Sequence, residues 1–378
     1  MTYFDRRPTS GGPVRVALIG AGGMGRHWLR LLHGDPDTEL VGLVDLDRSV
    51  AQAAAESIGR SDLRLGTSLT EVVGAIPVDA VVNVTVPEAH LPVNLEALGL
   101  GLPVLCEKPI VPTVGDALVL AAAAEVAGRL VMTSQSRRYF RSLNQFRAAV
   151  SGLGDIAMVT TDFQTGPHFG GFRDRMQHPL LLDMAIHAFD ACRHLLSADP
   201  VAVYCEEFNP TWSWYDGDAA AVAVFEMEHG TRFVFTGSWC NEGLPTSWNG
   251  QWTARGAGGS ATWDGLSAPA VDGAAAEQAS QLAMQEDSAA PEEIAGALAG
   301  FLSALRTGAT PYGDIHSNVW SLAMVQAAVE SAERGARIPM GPFMGRAYEE
   351  ALDSVRDPIV RGRLSSWGTA RAGLAAHR

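Results

Sequence analysis

The segment Gly20-Ala21-Gly22-Gly23-Met24-Gly25 spells G-x-G-x-x-G between an apolar run and a helical one, the setting that receives a dinucleotide pyrophosphate. Gly20 permits the tight turn, Gly22 lets the backbone approach the phosphates, and Gly25 lets the helix pack closely on the strand. N–H groups at a helix start near Gly23 and Met24 bind the anion without a basic side chain. Asp45 lies 20 residues after Gly25, at the end of the next apolar run, where a carboxylate accepts both ribose hydroxyls of an adenosine and repels a 2′-phosphate. The pattern favours NAD over NADP, although Arg48 stands nearby.

Two further groups suit proton chemistry. Lys108 ends the apolar run 102–106 and is followed by Pro109. Beside a positively charged nicotinamide ring and partly buried, a lysine there has a lowered pKa and can move protons near neutral pH; equally, it reads as a surface lysine at a strand end. Asp183 and His187, four apart in HPLLLDMAIHAFDACRH, share a helix face. Such a pair can orient a substrate hydroxyl and accept its proton, His187 being the better base at pH 7, or it is a capping aspartate followed by a core histidine. Asp190 and His194 continue the face, but the span is too long for one ion whose ligands converge at about 2 Å, so no metal is expected there.

These residues need a scaffold. Residues 14–45 read as strand, turn, helix and strand, followed by an alanine-rich helix over 48–59. The β-branched run 78–86 marks a central parallel strand buried on both faces. Pro87-Glu88-Ala89-His90 opens a helix, the strand 102–106 ends in Glu107-Lys108-Pro109, and a helix over 114–127 leads to a strand over 130–133. This alternation predicts a doubly wound parallel sheet. Residues 20–25, Asp45, 87–90, 107–109 and Gln135 then meet at the carboxyl ends of five strands, where such sheets bind ligands. After residue 134 a helix over 143–153, a strand over 156–165 and a helix over 181–196 precede β-like runs at 201–208, 219–228, 231–239, 247–255 and 260–263. The expectation is an α/β protein with an NAD-binding Rossmann domain over 1–134. An α+β domain with a large, mostly antiparallel sheet follows over 135–378, serving substrate binding and oligomerisation, with a cleft between the two. Residues 268–291 read as loop and irregular helix, 292–307 and 318–334 as helices, and 348–378 as a mostly polar tail.

With 378 residues, 47% hydrophobic and 19% charged, the chain is an ordinary globular one of two-domain size. A net charge of −14 argues against nucleic acid or an anionic membrane as the main partner. No run approaches the roughly 18 apolar residues of a membrane span. The first residues lack the apolar stretch of a secretion signal, and four widely spaced cysteines without C-x-x-C fit reduced thiols in the cytoplasm.

In order and approximate spacing, the glycine fingerprint with Asp45, Pro87-x-x-His90, Glu107-Lys108-Pro109 and Asp183-x-x-x-His187 resemble the glucose–fructose oxidoreductase/inositol dehydrogenase (Gfo/Idh/MocA) family over residues 14–190. Beyond residue 200 the likeness is architectural. The resemblance implies that Lys108, Asp183 and His187 are the active-site Lys, Asp and His, with His187 the acid/base. It also implies that Thr85, Pro87, His90, Glu107, Lys108 and Gln135 border the cofactor, Gln135 on the nicotinamide side. Val86 stands where the family usually has Thr, and Thr85 is one position early. The implied activity is hydride transfer between nicotinamide and a secondary hydroxyl of a sugar or cyclitol, in a homodimer or homotetramer. Some members use bound NAD for glycoside hydrolysis by transient oxidation and elimination, which is the alternative here.

The segments 137–141 and 168–175 are basic within an acidic protein. If Arg138, His168, Arg173 or Arg175 faces the substrate, that substrate carries an anionic group, as a sulfoquinovoside or uronide does; otherwise they are solvated or internally paired. Trp212, Trp214, Trp239, Trp248 and Trp252 serve either as a sugar-stacking wall or in sheet packing and subunit contact.

Overall fold

The computed structural model describes residues 2–5, 12–273 and 289–377, which form two compact units. The first unit comprises Met1–Gln135, Ile294–Val319 and Gly345–Arg378, the second Ser136–Glu293 and Trp320–Met344. Most of the stretch read as loop and irregular helix, residues 274–288, lies outside the described residues.

In the first unit β1 (Val14–Ile19), β2 (Thr38–Val44), β3 (Arg64–Gly66), β4 (Ala80–Asn83), β5 (Val104–Cys106) and β6 (Val131–Thr133) form one parallel sheet in the order β3-β2-β1-β4-β5-β6. The crossovers are α1 (Gly23–Gly34), α2 (Arg48–Ser57), α3 (Leu69–Val73), α4 (Pro87–Gly99) and α5 (Val114–Ala127). Every residue of β4 and β5 is buried, as continuous apolar runs demand when helices cover both faces. The ladder runs on past the strand ends: Gly20 N donates to Val44 O, Val84 N to Ile19 O, Glu107 N to Asn83 O and Ser134 N to Cys106 O, all at 2.8–2.9 Å. These bonds hold the loops after the strands in place. The strand order reverses between β1 and β4, the switch point where such sheets bind ligands.

Residues 348–378, read as a polar tail, are instead helical in this unit, ending α10 (Met340–Ser354) and forming α11 (Pro358–Ser366) and α12 (Ala370–Ala375). Asp357 caps α11 by accepting from Ile359 N and Val360 N, and Thr369 caps α12 by accepting from Ala372 N. Within α11 and α12 the large apolar residues that turn inward are Val360, Leu364 and Leu374, too sparse a pattern to stand out in the sequence, while Tyr348, Val355 and Trp367 are buried beside them. α11 packs on α5, which explains why α5 is buried almost all round.

The second unit carries α6 (Arg141–Gly152), α7 (Ile186–Leu196) and an eight-stranded sheet in the order β13-β12-β11-β7-β10-β9-β8-β14. Its strands are β7 (Ile156–Gln164), β8 (Pro200–Phe208), β9 (Ala220–Met227), β10 (Arg232–Ser238), β11 (Gln251–Gly256), β12 (Gly259–Trp263), β13 (Ala270–Gly273) and β14 (Ile338–Pro339). Among the described residues of this sheet, only β7 and β10 pair in parallel. Period-2 alternation sends Phe225, Phe233, Phe235 and Trp252 inward, where Phe189 of α7 meets three of these rings edge-on. Val222 and Val224 face outward and stay exposed. Helices α8 (Glu293–Thr307) and α9 (Ile315–Arg334) precede β14. Among the described residues no helix is long and apolar enough to cross a membrane.

Candidate active site

In the first unit the glycine turn is built as a cradle. Gly20 has φ +100°, and a Cβ there would lie 2.7 Å from the carbonyl oxygen of Val84. At Gly25 a Cβ would fall on the backbone oxygen of Gly20, so α1 approaches the turn as only glycine permits. Among the described residues nothing lies within 4 Å of the Cβ positions of Gly22 and Gly23, and no side chain caps α1. That leaves an open space at an uncapped helix N-terminus, which suits a pyrophosphate. Met24 is exposed beside it. Asp45 closes the cradle: Oδ2 accepts from Ala21 N at 2.9 Å and Oδ1 from Asp47 N at 3.0 Å.

The turns after β4, β5 and β6 differ in their parts. Thr85 gives its hydroxyl to Asn83 Oδ1 at 2.8 Å, and Pro87 opens α4. His90 is buried, with ring nitrogens 2.7 Å from Pro109 O and 3.0 Å from Thr85 O, so it ties these two turns together. Burial holds its pKa below the usual histidine value. Glu107 accepts from Trp28 Nε1 at 2.8 Å and from Lys108 N at 3.2 Å, and burial pushes its carboxyl pKa up. It anchors α1 to the β5 end and leaves Lys108, half-buried, as the cation of this turn. Just past β6, Gln135 is buried with no hydrogen-bond partner for Nε2 among the described residues, an orphan donor that a bound ligand would satisfy.

In the second unit Asp183 and His187 do not share one regular helix. Asp183 lies in a π-helical turn, Leu180–Ala185, and His187 in the first turn of α7, so the i, i+4 spacing carries an extra residue per turn between them. Arg173 Nε donates to Asp183 Oδ2 at 2.9 Å, and its guanidinium lies over the rings of Phe169 and Phe172. His168 stacks on Trp214 with ring centroids 3.7 Å apart, and Arg175 is exposed. Arg138 is placed differently from the expectation of a substrate contact. It is buried in a two-bond pair with Asp190, both at 2.7 Å, and Ser321 also donates to that carboxylate. Burial, the largest single influence, would raise the Asp190 pKa, but the Arg138 charge, the hydrogen bonds from Arg138 and Ser321 and the Arg193 charge together bring the net shift down. His194 and Asp190 thus belong to the packing of α7, His194 lying 3.0 Å from Asn144 Oδ1.

The residue sequence reasoning passed over is Arg137. It is buried, donates to Trp248 O at 2.6 Å and touches Met184 Sδ at 3.7 Å, with no carboxylate in salt-bridge range among the described residues. Burial lowers its pKa to about 9. Contacts therefore run in a circuit: Asp183 to Arg173, Arg173 to Phe169, Phe169 to Trp248, Trp248 to Arg137, and Arg137 to Met184 beside Asp183. The only sequence sign was one more arginine in a basic segment. Trp239 and Trp248 line this circuit with rings 5.4 Å apart, whereas Trp252 is core and stacks on Phe233.

A parallel sheet with a glycine turn, an uncapped helix and an acid at its switch point defines a Rossmann domain that binds NAD. Residues 14–135 match the oxidoreductase family with an NAD-binding Rossmann fold, and residues 147–262 match the Gfo/Idh/MocA C-terminal domain. The chain belongs to the Gfo/Idh/MocA family. It is 32% identical over 194 residues to inositol 2-dehydrogenase 4 of Saccharopolyspora erythraea, a match covering 50% of this chain and 56% of that protein. It is 28% identical to 1,5-anhydro-D-fructose reductase of Ensifer adhaerens, over 85% of this chain and 97% of that one. Other curated relatives are matched only in part, the chain spanning 56% to 65% of their length. An oxidoreductase from Agrobacterium radiobacter, solved with NAD+, L-tartaric acid and magnesium, has the same fold at TM-score 0.74 and 17% identity, over 87% of this chain and 99% of that one.

Proposed function

We propose that this protein is an NAD-dependent dehydrogenase acting on a secondary hydroxyl of a sugar or cyclitol. The observation that carries the reading is the cradle of the first unit, with open space over Gly22 and Gly23, an uncapped α1 and Asp45 held by Ala21 N. When bound, NAD supplies the hydride acceptor. Family membership and the names of the inositol and anhydrofructose relatives support a cyclitol or sugar as substrate. In this reading Lys108 holds the substrate hydroxyl, His187 takes its proton and Asp183 orients the substrate, with Gln135 serving the nicotinamide side. Most of the rate would come from holding carbon and cofactor in register.

Arg137 favours a substrate with a carboxylate or sulfonate, because a buried guanidinium without a carboxylate in reach gains most from an anionic partner. Self-association through the outer face of the eight-stranded sheet, where Val222 and Val224 are exposed, belongs to the same reading, as does a cytoplasmic location for a chain whose four cysteines are all buried free thiols.

The test is a paired assay with added NAD, following NADH and the release of a chromogenic aglycone, across neutral and anionic sugars, cyclitols and their glycosides. NADH accumulating in proportion to product is the expected result. Aglycone release that needs NAD while NADH stays flat would replace the dehydrogenase with a redox-assisted glycosidase. His187→Ala should lower kcat by about 100-fold or more, the usual contribution of general base catalysis.

A further inference from the structure

We infer that the first unit holds a divalent transition-metal ion of the zinc class, bound by Glu125, His316 and His377. Their ligand atoms converge: Glu125 Oε1 lies 2.8 Å from His316 Nε2 and 3.2 Å from His377 Nε2, and all three atoms lie within 4.8 Å of one another. Around a tetrahedral zinc with bonds of about 2.0–2.1 Å, neighbouring ligand atoms are roughly 3.3 Å apart, close to both separations from Glu125 Oε1. Two imidazoles and a carboxylate with a fourth, water-filled position form a familiar zinc donor set.

The surroundings already orient each ligand. His316 Nδ1 lies 3.3 Å from Asp314 Oδ1, and Asp314 is itself held by Tyr3 OH at 2.8 Å and by His316 N at 3.0 Å. A proton on Nδ1 directed at that carboxylate turns the Nε2 lone pair toward Glu125, which is how outer carboxylates prepare histidine for a metal. The second oxygen of Glu125 accepts from Trp367 Nε1 at 3.1 Å and from Arg363 Nε, leaving Oε1 for the two rings. Glu125 and His316 side chains are 2% and 0% exposed, whereas Arg363 is 42% exposed, so solvent screens its repulsion of an ion. One carboxylate oxygen, Glu125 Oε1, is shared by two imidazole nitrogens in this space. A proton reconciles one nitrogen–oxygen pair; a divalent ion reconciles all three atoms. The site would join α5 to the start of α9 and to the segment after α12, and it takes no part in the proposed redox chemistry.

The test uses untagged full-length protein, stripped with EDTA and then titrated with Zn2+ or Co2+. Expected are one equivalent of Zn2+ by elemental analysis, a rise in Tm on adding Zn2+, and a visible Co2+ spectrum of tetrahedral intensity. Glu125→Gln and His377→Ala should each weaken Zn2+ binding by about 100-fold or more and abolish the Tm rise. Should either variant fail to fold, the Co2+ form of the unaltered protein should give paramagnetically shifted ring N–H resonances from two histidines. No stoichiometric metal, equal uptake by folded variants, no shifted resonances, or a Tm that follows pH but not Zn2+ would each overturn the assignment.

Discussion

Arg173 Nε donates to Asp183 Oδ2 at 2.9 Å, so the carboxylate proposed to orient substrate is itself held by a guanidinium that rests on two phenylalanine rings. The side chains are 35% and 17% exposed, which leaves the pair reachable by a ligand. Removing the arginine should leave Asp183 present but loose. For Arg173→Ala, kcat/KM should fall by about 10- to 100-fold while NAD affinity stays unchanged, as expected when a reacting group loses its position. Steady-state kinetics beside NAD titration checks both halves, and Arg173→Lys should recover little because it lacks the planar fork.

Asp45 sets the cofactor preference in the proposed enzyme. Its carboxylate is fixed by Ala21 N and Asp47 N, so it cannot swing away from a 2′-phosphate. In Asp45→Ser the ratio of kcat/KM for NAD to that for NADP should fall by about 10- to 100-fold, since a hydrogen bond to a charged group contributes about 1.5–3 kcal/mol. An unchanged ratio in parallel assays would remove Asp45 from the cofactor site.

Arg138 and Asp190 form a buried pair with Ser321 on the same carboxylate. Cutting the pair on one side leaves a charge stranded in the core. Asp190→Asn and Arg138→Met should each cost about 3–5 kcal/mol in urea unfolding, whereas replacing both by apolar residues should cost much less. Equal losses in the single and double variants would contradict this account.

His178 and Glu207 give the second unit a pH-dependent element. His178 Nδ1 lies 2.6 Å from Glu207 Oε2 and Nε2 lies 3.6 Å from Glu333, with Asp218 also near enough to act on the ring. The Glu207 hydrogen bond raises the His178 pKa, and burial raises that of Glu207, so the folded pair keeps its proton to higher pH than the separate groups. The histidine's contribution is therefore complete below about pH 6.5, its unfolded value, and is lost as pH rises through the raised folded value. Thermal unfolding should show stability declining over that window by about 1 kcal/mol, and His178→Gln should flatten it.

What the sequence determined alone is the part governed by local rules. The glycine turn, Asp45 and the strand-end Lys108 follow from dihedral limits, hydrophobic period and a fixed spacing, and they reappear after the carboxyl ends of β1, β2 and β5. The cap residues Asp357 and Thr369 were also present in the sequence, but the helices they open bury too few apolar residues to be read. Only the tertiary structure decided which distant groups meet. It joined Arg138 to Asp190, 52 positions away, and turned an apparent substrate arginine into a core ion pair. It closed both nitrogens of His90 on backbone, buried Arg137 against Trp248 and gathered Glu125, His316 and His377 from three parts of the chain. A buried polar group takes whatever partner the packing brings within hydrogen-bond reach, and sequence order carries no record of that distance.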